Sequence, residues 1–194
     1  MKNIFLDCGT HLCEGLKSFW NKKIIDNTFE IHTFEPNPAC FVEERIKSLP
    51  FNLTFHNCAV WTEDGEILFN QENHKKSGSR SPNDNKSDVD GWASAVSGTG
   101  FSFLGHEQPI KVKSIDFSKF VDQLPKDSRV ICKMDIEGSE FEVLKKMILD
   151  ETIKRFESIY VEFHERYMPA EFRKTKIEIV SKITDMGVKL YPWA

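Results

Sequence analysis

A chain of 194 residues with 40% hydrophobic and 29% charged content is ordinary for one soluble globular domain with enough length to bury a core. Its formal net charge of -4 gives no global attraction for a polyanion, so nucleic acid is an unexpected partner. The opening stretch MKNIFLDCG turns acidic too soon for a secretory signal, and no apolar run approaches the ~18 residues of a membrane span; a cytoplasmic protein without a membrane partner is expected.

From the start, short β-rich apolar runs alternate with helix-period stretches, the pattern of βαβ units around a parallel sheet. Residues 3 to 8 (NIFLDC) predict a first strand and residues 12 to 24 a helix. Residues 29 to 36 (FEIHTFEP) predict a second strand closed by Pro36, residues 39 to 49 a second helix, and residues 51 to 60 (FNLTFHNCAV) a third strand. The Asp64-Gly65 pair between alternating arms predicts a β-hairpin over residues 61 to 70. Residues 71 to 108, rich in Ser, Asn, Asp and Gly, predict a long insert or lid within a single domain spanning residues 1 to 194.

Regularity returns with a strand at residues 110 to 116 and a short helix near residues 117 to 124. Residues 129 to 138 (RVICKMDIEG) predict a fourth core strand, followed by a helix whose Phe141, Val143 and Leu144 have core spacing. Residues 158 to 165 (SIYVEFHE) predict a fifth strand, residues 171 to 187 a last helix ending at Gly187, and VKLYPWA a terminal strand. Five cysteines (Cys8, Cys13, Cys40, Cys58 and Cys132) without Cys-x-x-Cys spacing signal neither a disulfide framework nor a zinc site.

Three of the five core strands end in acids: Asp7 before Gly9, Glu35, and Asp135 with Glu137. In open α/β sheets ligands bind beyond the carboxyl ends of the strands, where the strand order reverses. An order of 3-2-1-4-5 makes these three ends neighbours, with Glu35 placed to accept hydrogen bonds from ribose hydroxyls. The first loop lacks Gly-x-Gly-x-x-Gly and is a poor pyrophosphate cradle. An acid at Asp7 favours a cationic ligand end, and S-adenosylmethionine, with its ammonium, sulfonium and ribose diol, suits Asp7, Gly9 and Glu35.

The segments FLDCGTHLCEGLKSF, IHTFEPNP, NCAVWTEDGEILF, VKSIDF and VICKMDIEGSEFEVLKKM occur in order over roughly residues 3 to 165. The set resembles the FkbM-type S-adenosylmethionine-dependent methyltransferases, most specifically through Lys133-x-Asp135-x-Glu137-Gly138 followed by Glu140 and Leu144. The resemblance implies a Rossmann-like class I methyltransferase fold, methylation of hydroxyl oxygens on small molecules or saccharides, and S-adenosyl-L-methionine as cofactor. It departs at Cys13, where family members show glycine, and in a seventh antiparallel strand that only residues 110 to 114 stand in place to replace.

In the fourth strand, Ile131, Lys133, Asp135 and Glu137 share one face, and in the fifth Tyr160, Glu162 and His164 do; aligned faces would unite Lys133, Asp135, Glu162 and His164. The catalytic set expected is Lys133, Asp135, Glu137 and His164, with His164 or a carboxylate taking the acceptor's hydroxyl proton. A structural Lys133 to Glu162 ion pair is the bland reading of the same residues, and hard-ligand magnesium or manganese binding by Asp135, Glu137, Glu162 and His164 is weighed against the metal-free transfer expected here. The cofactor-binding set expected is Asp7, Gly9, Thr10, His11, Glu35, Pro36, Asn57 and Asp135. Trp92 and Phe101 in the insert are candidate acceptor contacts, Lys75, Lys76 and Arg80 a small basic patch, and Arg166 a candidate clamp or plain surface charge. Two other classes stay open: a nucleic-acid 2′-O-methyltransferase and a non-catalytic nucleoside-binding module on the same fold.

Overall fold

The structure is a computed structural model that describes residues 1–40, 53–70, 95–96 and 109–193. Its main sheet has six parallel strands: β1 (Asn3–Cys8), β2 (Phe29–Phe34), β3 (Leu53–His56), β8 (Arg129–Met134), β9 (Phe156–Val161) and β10 (Lys189–Pro192). They run in the order β10-β9-β8-β1-β2-β3, which contains the expected 3-2-1-4-5 and adds the terminal strand beyond the fifth. The chain reverses its direction of travel across the sheet between β1 and β8, and the candidate residues lie at that crevice.

Both faces of β1 and β8 are covered, as central parallel strands require. Alternate residues serve opposite cores. Ile4, Leu6 and Cys8 with Val130, Cys132 and Met134 pack against helices α2 (Phe117–Gln123), α3 (Glu140–Leu149) and α4 (Glu171–Asp185). Phe5, Ile31 and Ile131 instead pack against α1 (Glu14–Asn21) through Leu16 and Phe19, spaced three apart on one helical face. Phe141, Val143 and Leu144 are buried as their spacing requires, and all five cysteines are buried thiols outside any disulfide. Helix α1 is shorter than residues 12 to 24 because Cys13 and Lys23, at φ 64° and 55°, bracket it with left-handed backbone.

Residues 51 to 60 do not form one strand. The chain leaves the main sheet after His56, and β4 (Ala59–Trp61) joins a second sheet ordered β4-β7-β5-β6, with β5 (Gly65–Asn70), β6 (Ala95–Val96) and β7 (Ile110–Asp116). The expected Asp64-Gly65 hairpin is absent: β4 and β5 do not pair with each other but flank β7, one parallel and one antiparallel. Asp64 instead accepts the backbone N–H of Asp116 at 3.1 Å and pairs with Lys119 at 2.8 Å, so the turn is fastened to the start of α2. Residues 110 to 116 therefore belong to this second sheet, not to an edge of the first. The predicted helix at residues 39 to 49 lies outside the described residues except for Pro38–Cys40, a single 3-10 turn. Of the insert at residues 71 to 108, the described part is the short strand β6; Trp92, Phe101, Lys75, Lys76 and Arg80 lie outside. Among the described residues no helix is long and apolar enough to cross a membrane.

Candidate active site

The tips of β1 and β8 are locked together around a buried lysine. Lys133 Nζ donates to the backbone carbonyls of Gly9 at 2.7 Å and Cys8 at 3.4 Å, and lies 3.5 Å from Asp7 Oδ1 and 3.3 Å from Asp135 Oδ2. Its stem runs past Gly15, where a Cβ would stand in ordinary contact at 3.4 Å from Lys133 Cε. Burial by itself would lower the ammonium's pKa, but the charges of Asp7 and Asp135 outweigh it and hold Lys133 above its ordinary range. Thr10 completes the knot by donating to Asp7 Oδ2 at 2.7 Å.

This arrangement revises the reading of Asp7. The carboxylate is fully buried, and the cation it faces is Lys133 of the same chain, so its presence at the strand tip does not signal a cationic ligand. The Lys133 to Glu162 ion pair of the bland reading is likewise replaced by pairs with Asp7 and Asp135. Gly9 is required by the fold itself: its φ is 72°, and a Cβ would meet the Asp135 carbonyl oxygen at 1.8 Å.

Between β1 and β2 the loops converge on Glu35. Its Oε2 accepts the N–H of His11 at 3.0 Å and its Oε1 the N–H of Asn37 at 2.8 Å, while its backbone carbonyl accepts from Asn57 Nδ2 at 2.9 Å. Burial raises the Glu35 pKa against the lowering effect of those N–H bonds. His11, at φ 47°, has a buried Nε2 that makes no hydrogen bond among the described residues. Pro36 is half-buried and Asn57 is exposed. Glu35 keeps unused lone pairs, and with the orphaned His11 nitrogen it forms a polar edge suited to a nucleoside's hydroxyls.

Beyond β8 and β9 lies an acid-rich cluster. His164 Nε2 stands 3.3 Å from Glu137 Oε2, 3.7 Å from Asp135 Oδ1 and 3.8 Å from Glu162 Oε1. Asp135 thus links this cluster to Lys133, and the four residues expected to share one face are brought together. Burial would lower the His164 pKa, but the hydrogen bond and charge of Glu140, with Glu137 and Asp135 behind it, push it up to about 9. Burial pushes Glu137 up to about 8, opposed by His164 and reinforced by Asp135, Glu140 and Glu162. Burial, then the charge of Asp135, raises Glu162 as well, while Arg166 lies 3.5 Å from it. The donor atoms of Asp135, Glu162 and His164 all fall within 4.8 Å of one another, a spacing able to hold a divalent cation.

Two residues that this crevice uses did not stand out by their chemistry. Glu140 is wholly buried and bonded to both strand-end loops; beyond its place in the family resemblance, its sequence signal is an acid in the first turn of a helix, which assigns it no role in the crevice. Trp193 extends β10 by its N–H to the Val161 carbonyl at 3.0 Å, stacks on Phe19 with centroids 5.1 Å apart, and lies 5.9 Å from Lys133 Nζ. A terminal aromatic gives no such signal in one sequence.

The family model described as the Methyltransferase FkbM domain matches residues 7–189. A crystal structure of the methyltransferase FkbM from Methylobacillus flagellatus KT is similar at 16% identity and a TM-score of 0.48, over 93% of this chain. This chain spans 37% of that one. No curated protein matches. The family match runs from Asp7 at the tip of β1 to Lys189 at the start of β10, taking in every strand of the crevice, and the chain belongs to the methyltransferase FkbM domain family.

Proposed function

We propose that the chain is an S-adenosylmethionine-dependent methyltransferase that methylates a hydroxyl group of a small molecule or saccharide. One observation carries the reading: the polar edge at Glu35 and the acid-histidine cluster at His164 lie at the same, carboxyl end of one parallel sheet, and Asp135 ties the cluster to Lys133 at the β1 tip. The first can hold a nucleoside and the second can take a proton, as transfer to a hydroxyl needs.

Glu35, His11, Thr10, Pro36 and Asn57 with the Gly9 turn would hold the cofactor, Glu35 accepting from the ribose hydroxyls. When bound, S-adenosylmethionine supplies a methyl group made electrophilic by its sulfonium. Asp7 serves this site indirectly, by holding Thr10 and Lys133. The acceptor hydroxyl's proton goes to the pair formed by Glu137 Oε2 and His164 Nε2, while Asp135 and Glu162 keep that pair's surroundings negative. Holding the acceptor in line with the methyl carries much of the rate, and the base adds to it.

Calorimetry with S-adenosylhomocysteine tests the donor assignment, and a panel of hydroxylated metabolites with labelled donor tests the acceptor. Specific binding that fails in Glu35→Ala is expected; no binding, alongside tight binding of NAD, would overturn the reading. Whichever member of the His164 and Glu137 pair receives the proton must first release its own, so the rate is expected to climb as pH rises past about 8 to about 9. A second reading, transfer assisted by a divalent cation, is favoured by the convergence of Asp135, Glu162 and His164. Turnover that survives dialysis against a chelator supports the metal-free form, and loss restored by magnesium or manganese supports the other.

A further inference from the structure

Glu140 opens α3 with its side chain fully buried, a setting that disfavours a carboxylate unless its oxygens are well used. Here they are. Its Oε2 accepts the N–H of Gly138 at 2.8 Å, and its Oε1 accepts the N–H of His164 at 2.8 Å and lies 3.2 Å from His164 Nδ1. Gly138 belongs to the loop after β8 and His164 to the loop after β9, so one carboxylate fastens both walls of the crevice. Between these bonds Glu137 is held at φ 52° and Gly138 at φ 93°. Left-handed backbone at a non-glycine residue persists only where neighbours impose it, and the Gly138 to Glu140 bond is such a constraint.

The same bond pattern dictates the state of the imidazole. Glu140 already accepts two backbone N–H groups and can only accept again, so the nitrogen of His164 facing it carries a hydrogen; on the other side burial raises Glu137 to about 8, so its carboxyl can hold a proton of its own and leave Nε2 of the neutral ring an acceptor. That nitrogen, Nε2, faces Glu137, Asp135 and Glu162, with Arg166 and Lys133 standing behind the last two.

We propose that Glu140 is a positioning residue for methyl transfer, which draws the Nδ1 hydrogen of His164 and so turns Nε2, as a proton acceptor, toward the acceptor pocket. The inference rests on the methyltransferase reading above and adds to it the residue that sets the direction of proton movement. Replacing Glu140 touches neither Glu35 nor the Gly9 turn, so recognition of the nucleoside is left intact.

Nitrogen-15 NMR of the full chain labelled at histidine, recorded from pH 5 to pH 11, tests it. In the native protein the neutral form of His164 is expected to carry its hydrogen on Nδ1; a hydrogen on Nε2 overturns the proposal without need of any variant. In Glu140→Gln the preference of the neutral ring for the Nδ1 hydrogen is expected to weaken, while affinity for S-adenosylhomocysteine stays within threefold of the native value. A folded Glu140→Gln variant with an unaltered His164 spectrum also overturns it. Failure of the native chain to bind S-adenosylhomocysteine would sink the methyltransferase reading, and the tautomer would still judge the role of Glu140.

Discussion

The backbone at Gly9 passes so close beneath Asp135 that the missing Cβ would lie 1.8 Å from the Asp135 carbonyl oxygen. The contact joins two strand tips that also share the β-ladder bond from Asp135 N–H to the Cys8 carbonyl at 3.1 Å. Gly9→Ala is therefore expected to destabilise the fold by about 3 kcal/mol or more, since left-handed strain and overpacking add. Urea denaturation checks it; a loss below about 1 kcal/mol would mean that the tips part easily.

Lys133 is the buried cation of the β1 tip, and Asp7 Oδ1 makes no hydrogen bond among the described residues besides its ion pair with that lysine. Lys133→Met leaves the Asp7 carboxylate uncompensated in the core and is expected to cost about 3 to 5 kcal/mol. The double variant with Asp7→Asn should recover part of that loss, because the stranded charge is gone. Strict additivity in a denaturant-based double-mutant cycle would refute the pairing.

The acid-histidine cluster makes stability depend on pH in a defined direction. His164 is raised in the folded chain to about 9 from an ordinary 6.5, so its contribution is complete below pH 6.5 and disappears as pH rises through about 9. Glu137 is raised to about 8 from 4.5, so the folded state also retains this proton longer, and its contribution is lost as pH rises through about 8. Both effects have the same sign. The melting temperature is expected to be lower at pH 9.5 than at pH 6, with a smaller difference in His164→Gln.

Glu35 accepts two backbone N–H groups, and Glu35→Gln presents an amide donor where at least one of those bonds must break. A loss of about 1 to 3 kcal/mol in stability is expected, with S-adenosylhomocysteine binding weakened by about tenfold or more. Calorimetry on the folded variant separates the two effects. Unchanged affinity would remove Glu35 from the nucleoside site.

Strand order and the convergence of Lys133, Asp135, Glu162 and His164 were legible in the sequence because a period of two fixes which side chains share a face once parallel neighbours align. The partner of Asp7 was not legible. An acid at a strand tip reads alike whether its cation is a ligand or a lysine 126 positions later on the neighbouring strand, and only the register of β1 against β8 decides. The Asp64-Gly65 turn misled for a related reason: the arms on either side alternate as a hairpin's would, yet both pair with β7, about fifty residues downstream. Glu140 gave a helix-start signal, but its bonds to Gly138 and His164 depend on how two loops close over that helix.

The second sheet has a consequence for how the protein can diversify. The chain leaves β5 at Asn70 and re-enters at Ala95, and these two residues are direct partners in an antiparallel ladder. Residues 71–94 are therefore an excursion with clasped ends, and β7 runs straight on into α2 at Phe117 to anchor the clasp to the domain. The stretch between Asn70 and Ala95 can thus change in length without moving the points at which the chain leaves and rejoins the second sheet.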